Sequence, residues 1–133
     1  MKSVLLLSIL VVAVAAKKIP EETVKKFEET IGDLKMKCIE ESKVDPKRIE
    51  KMIKELDFTE DKALKCYWRC LHEKVNIFKA DGSYDNELIV KKFPFIKKDL
   101  QEKCEKRHRD EKDNCDKAFK YSLCIIDDLI VEK

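Results

Sequence analysis

At 133 residues, with 29 lysines and arginines against 27 aspartates and glutamates, the chain has the size of one domain. Its near-balanced charge excludes a dedicated nucleic-acid surface, which would carry clustered, unopposed cations. Two glycines and three prolines among abundant Lys, Glu, Leu and Ile point to an all-helical chain.

The chain opens on Lys2 and an apolar run from Val4 to Ala16. That run is about 13 residues, short of the roughly 20 a membrane helix needs. Ala13 and Ala15, or Val14 and Ala16, suit the small-residue cleavage rule. Residues 1–16 therefore read as a secretory signal peptide, cut before Ala16 or Lys17, and 17–133 as a single helical domain. Lys17-Lys18, Lys97-Lys98 and Arg107-His108-Arg109 are the densest basic spots; each has acids nearby and reads as a solvated helix face.

The first predicted helix starts near Pro20, with Glu21 and Glu22 in the first turn, where the helix dipole favours acids. Val24, Phe27, Ile31, Leu34 and Cys38 recur at helical steps and extend it as one apolar stripe. Asp45 caps and Pro46 opens the second helix, whose stripe is Ile49, Met52, Ile53 and Leu56. Thr59 is the expected cap of a third helix, which carries Ala63, Cys66, Cys70 and Leu71 and fades near Asn76. Asp81-Gly82 is the clearest turn signal. Asp85 caps a short fourth helix with Leu88 and Ile89, which Phe93-Pro94 breaks. The fifth runs through Ile96, Leu100 and Cys104. After a polar link, the sixth carries Cys115, Ala118, Phe119, Ser122 and Ile126.

Six cysteines, Cys38, Cys66, Cys70, Cys104, Cys115 and Cys124, stand behind the leader at intervals of 27, 3, 33, 10 and 8 residues. An oxidising compartment turns such an even set into a disulfide frame. Cys66 and Cys70 stand side by side on one helix, about 6 Å apart, so each bonds a different partner more easily than the other. Cys115 and Cys124 lie about 13 Å apart along a continuous helix and cannot pair there. Of the fifteen connectivities, these exclusions leave ten. Zinc fits poorly, because there is one close cysteine pair and the two histidines, His72 and His108, are isolated. Both histidines are flanked by charge and read as exposed. No metal or cofactor site is expected.

The ladder resembles that of the insect odorant-binding proteins, the pheromone and general odorant-binding family. The short gaps match at Cys66–Cys70 and Cys115–Cys124. The surroundings are similar too: Cys38-Ile-Glu-Glu-Ser, Lys65-Cys66-Tyr67-Trp68-Arg69-Cys70, the Asp81-Gly82 turn, and Cys115-Asp116-Lys117-Ala118-Phe119. The resemblance covers essentially all of the chain after the leader. It implies the bridges Cys38–Cys70, Cys66–Cys115 and Cys104–Cys124. The fold it implies is all-α, a six-helix disulfide-braced bundle around an apolar cavity. The function it implies is a secreted, non-enzymatic carrier of small hydrophobic ligands such as odorants, pheromones or related lipophiles. A membrane chemoreceptor is a further implied partner; monomer and weak homodimer both stay open. The residues after Cys124, Ile125 to Lys133, make a shorter tail than some members have, which puts tail-driven release in doubt.

Stripe positions and the implied architecture nominate Met52, Ile53, Leu71, Val75, Leu88, Phe93, Ile96, Leu100, Phe119, Ser122 and Ile125 for ligand contact. Such cavities are mostly apolar with a few orienting polar groups. For each apolar residue plain core packing is the competing reading. Ser122 could offer its hydroxyl to a ligand oxygen or return it to its own helix. Trp68, Tyr67 and Tyr121 are weaker candidates, Trp68 because it faces away from the two cysteines beside it. A small phospholipase-like hydrolase would want a His-Asp pair beside cysteine and a glycine-rich calcium loop. Here His72 is followed by Glu73, and no Gly-x-Ser-x-Gly elbow occurs. The remaining alternative is a secreted interaction or defence protein with a filled core on the same frame.

Overall fold

A computed structural model describes residues 17–132; the leader assigned to residues 1–16 lies outside them. The described chain is all-helical, with seven helices: α1 (Glu21–Ile31), α2 (Leu34–Ser42), α3 (Pro46–Lys54), α4 (Lys62–Lys74), α5 (Asn86–Lys92), α6 (Lys98–His108) and α7 (Asn114–Leu129). The only strands among the described residues are β1 (Lys17–Lys18) and β2 (Val131–Glu132). They pair antiparallel and tie the two ends of the domain together. No described helix is long and apolar enough to cross a membrane.

Seven helices replace the six expected because the first stripe is cut in two. Gly32 takes φ 47° and ψ −128°, and its N–H closes α1 on the Glu28 carbonyl. A positive φ is cheap for glycine and disfavoured for residues with a Cβ. The apolar stripe keeps its register across this break, which is why spacing alone reads it as one helix.

The capping residues set most other boundaries. Asp45 accepts from the Lys47 N–H with Pro46 at the first turn, and Asp85 accepts from the Leu88 N–H. Thr59, expected to cap the helix of the two close cysteines, does not. Asp57 takes up the Thr59 backbone N–H and hydroxyl, and Asp61 caps α4 by accepting from the Ala63 and Leu64 N–H groups. Both residues sit ahead of the apolar run, and a carboxylate two positions closer satisfies the free N–H groups directly. Replacing Asp61 by Ala is expected to cost about 1 kcal/mol, read as a lowered urea midpoint; an unchanged midpoint would show that the cap adds nothing.

The core is built on α4 and α7, the most extensively packed pair, with α2 against α4 and α6 against α7. Each of these three contacts carries one disulfide. Cys38–Cys70 joins α2 to α4, Cys66–Cys115 joins α4 to α7, and Cys104–Cys124 joins α6 to α7. An ion pair between Lys65 and Asp116, 2.7 Å long, reinforces the central contact. The Asp81-Gly82 turn forms as its residues suggest. Gly82 has φ 83°, the Asp81 carboxylate accepts from the Ser83 N–H, and a single bridge pairs Phe78 with Tyr84. Lys117 donates to the Gly82 carbonyl at 2.9 Å and holds this hairpin against α7.

Candidate functional site

Helix α4 presents two working faces. Cys66 and Cys70 share one, four residues apart. Trp68 and His72 share another, turned roughly 200° from it because each residue advances about 100°. The cysteine face is stapled to α2 and α7; the Trp68–His72 face borders a pocket. On α7 the positions 121/122, 125/126 and 129 recur every four residues and put Tyr121, Ser122, Ile125, Ile126 and Leu129 on the same pocket.

The remaining wall comes from short segments that these two helices organise. Thr23, Val24 and Phe27 come from α1, Ile53 from α3, Ile77 from the chain after α4, and Ile89 from α5. Phe93, Phe95 and Ile96 come from the α5–α6 connection, and Ile19 from the residue after β1. The space amounts to about 80 Å³, several times the roughly 10–15 Å³ that one water needs. Thr23, Val24, Phe27, Ile53, Phe95 and Leu129 are half-buried and form its rim, while Ile89, His72 and Ser122 lie deep. The β1–β2 ribbon brings Ile19 and Leu129, close to the two ends of the domain, onto the same wall.

Aromatic rings supply much of the shape. Phe27 lies between Trp68 and Phe93, with ring centroids 6.0 and 5.8 Å away. Trp68 donates its indole N–H to Met52 Sδ at 3.2 Å. Tyr121 stacks on Tyr84 at 4.2 Å with the planes only 20° apart. Its edge-on neighbour is His72, at 5.8 Å.

The polar content is concentrated in one spot. His72, expected at the surface, is 7% exposed. Its Nδ1 lies 2.7 Å from the Tyr84 hydroxyl and its Nε2 lies 3.2 Å from Ser122 Oγ. Charged neighbours in sequence do not decide burial on a helix; Glu73 faces away and pairs with Arg69. Burial alone pushes the His72 pKa down to about 3, so the ring is neutral at physiological pH. Burial first, and Tyr121 second, pushes Tyr84 well above the usual phenol range. Burial likewise raises Tyr121. The Tyr121 hydroxyl is buried without a hydrogen-bond partner among the described residues.

The nominated residues divide. Ile53, Phe93, Ile96, Ser122 and Ile125 are on the pocket wall. Met52, Leu71, Val75, Leu100 and Phe119 are buried in the surrounding core, and Leu88 packs half-buried against it. Met52 backs the Trp68 indole, while Phe119 carries Lys65 Nζ over its ring at 5.9 Å. Spacing marks a buried face, but whether that face meets a hollow or a neighbouring helix depends on what stands opposite. Trp68, His72 and Tyr121 are wall residues that the stripes did not single out. The available signal was the i, i+4 relation of Trp68 to His72, opposite the cysteine face. Ser122 has no hydrogen bond to its own helix among the described residues; its partner is His72.

No group of three or more His, Cys, Asp or Glu side chains among the described residues is placed to hold a metal ion. The geometry offers a mostly apolar, ring-lined recess whose hydrogen-bonding groups centre on His72 and Ser122. No curated protein and no solved structure matches the chain significantly. The model of the PBP/GOBP family matches residues 20–128, a span from the residue before α1 almost to the end of α7 that takes in all six cysteines, and the chain belongs to that family.

Proposed function

We propose that the chain is a secreted carrier that reversibly holds small apolar molecules, such as odorants, pheromones or related lipophiles, in the recess between α1, α3, α4 and α7. Residues 1–16 act as the cleaved leader, and the three bridges form in the oxidising compartment to which it leads. PBP/GOBP proteins are binding proteins, and the disulfides suit an extracellular setting. Delivery to a membrane chemoreceptor is the use such a carrier would serve.

The observation that carries this reading is the recess itself: a wall of aliphatic and aromatic side chains interrupted by one buried polar cluster. That pairing of apolar bulk with a single orienting group is what a small-ligand site needs. The two halves of the wall are held by the α4–α7 disulfide, so the recess is largely pre-formed, which limits the ordering cost of binding.

Trp68 is the chain's one tryptophan and lies on the wall. Titrating the oxidised protein with an apolar naphthylamine dye is expected to change Trp68 emission, raise dye emission, and saturate. Aliphatic alcohols, aldehydes or esters are expected to reverse both signals. A folded protein whose Trp68 emission is indifferent to a broad panel of apolar compounds would instead have an interior filled by its own side chains.

A further inference from the structure

We infer, building on the carrier reading, that the recess selects ligands bearing a hydrogen-bond acceptor, above all a ketone, aldehyde or ester carbonyl. The Ser122 hydroxyl would donate, and the Tyr84–His72 pair behind it would set the direction of that donation.

The argument is one of counting protons. A neutral imidazole has one N–H and one lone pair. His72 touches a hydroxyl at each nitrogen, so two arrangements exist. In the first, Tyr84 donates to Nδ1, and the Nε2–H donates to Ser122 Oγ. The one proton then left over belongs to Ser122, which is on the pocket wall. In the second, Ser122 donates to Nε2 and the Nδ1–H donates to Tyr84. The leftover proton is then the phenolic one of Tyr84. Tyr84 is buried, is not on the pocket wall, and has no other hydrogen-bond partner among the described residues.

A buried donor without an acceptor is costly. The first arrangement avoids that cost inside the packed core and places the unmet proton where an incoming molecule can meet it. Phenols are also the stronger donors of the two hydroxyl types, and the shorter of the two contacts is the one to Tyr84. Ser122 does not spend its proton on its own helix, since its only hydrogen bond among the described residues is to His72. Tyr121, next along α7 and also on the wall, holds a second hydroxyl with no partner.

A carbonyl oxygen satisfies the Ser122 proton and brings none of its own. An alcohol satisfies it but adds a proton that needs an acceptor of its own, and beyond the His72–Ser122 pair the wall offers only the hydroxyls of Tyr121 and Thr23 for it. A hydrocarbon leaves Ser122 unmet. Ser122 is therefore the specificity-determining residue, and His72 and Tyr84 are positioning residues that act through it.

The test compares a methyl ketone, a primary alcohol and an alkane of equal chain length, each displacing an apolar dye from the oxidised protein. In Ser122→Ala, ketone affinity is expected to fall roughly five- to tenfold, with alkane affinity unchanged within about twofold. Tyr84→Phe leaves the wall intact but lets the imidazole turn its N–H to Nδ1, so the ketone preference is expected to shrink there too. Nitrogen NMR of ligand-free protein in a His108→Gln background reads the tautomer without any ligand, and the Nε2–H form is expected. An Nδ1–H tautomer, or equal loss of ketone and alkane in Ser122→Ala, would overturn the inference while the carrier stands. Uptake of neither ketone nor alkane by the unmodified protein would overturn both.

Discussion

Lowering the pH from about 7 to about 4 is expected to remove about 3 kcal/mol of folding stability through His72 alone. The folded ring has its pKa depressed to about 3 from an ordinary 6.5 because it is buried. The unfolded chain therefore binds a proton between those two values and the folded chain does not. Stability is fully present above pH 6.5 and is lost as the pH falls toward 3. Trp68, Tyr84, Tyr121 and Ser122 surround the ring, and no carboxylate is among its hydrogen-bond partners to stabilise an imidazolium. The carboxylates held low by their own partners act in a lower window. Asp57, held at about 2 chiefly by Thr59 and then by Arg48, begins to matter only below its ordinary 3.8. Urea titrations across this range should show the decline in the unmodified protein and a much flatter profile in His72→Gln, which cannot titrate. Parallel profiles would mean that His72 is protonated, or reached by water, well above pH 3. Acid would also reverse the hydrogen bond at Tyr84 while leaving the one at Ser122 unchanged, since an imidazolium has no lone pair for the phenol and donates from both nitrogens.

The second large effect concerns the bridge between the two pocket helices. Replacing Cys66 and Cys115 together by alanine is expected to cost about 4 kcal/mol, from the unfolded-chain entropy of a closed loop spanning 49 positions. For a domain of this size that corresponds to a fall of roughly 15–25 °C in Tm. The same change is expected to weaken apolar ligands, because Trp68 and His72 lie on one of the joined helices and Ser122 on the other. Removing Cys104–Cys124, with a separation of 20, should cost slightly less, about 3 kcal/mol, and affect binding less. That bridge fastens α6, which contributes no residue to the pocket wall. A loss below about 1 kcal/mol for the Cys66–Cys115 pair would show that α4 and α7 hold their packing without the bridge.

How far the chain could be read in advance varied with the range of the interaction. Asp45-Pro46, Asp81-Gly82 and Asp85 act on backbone groups two or three residues away, and the helix starts and the turn fall where those residues call for them. Gly32 shows the limit of periodicity. The unbroken apolar stripe argues for one continuous helix, although a glycine inside a helix costs about 1 kcal/mol relative to alanine; at Gly32 the backbone takes a positive φ and ends α1 while the stripe continues into α2. Thr59 and Asp61 were both competent caps, and the choice fell to Asp61 once Asp57 had engaged Thr59. The charged neighbours of His72 along the chain suggest exposure, but on a helix those neighbours point elsewhere and the ring is buried.

Local chemistry written in the residues was enough to determine an all-helical chain, its capping carboxylates, its hairpin turn and a set of cysteines suited to disulfides. The choice among ten open pairings, the division of apolar residues between core and pocket wall, and the burial of His72 between Tyr84 and Ser122 were decided only by the tertiary structure. Each depends on which surfaces meet across dozens of residues. His72 and Ser122 are 50 positions apart, and spacing along one helix carries no information about what another helix places opposite it.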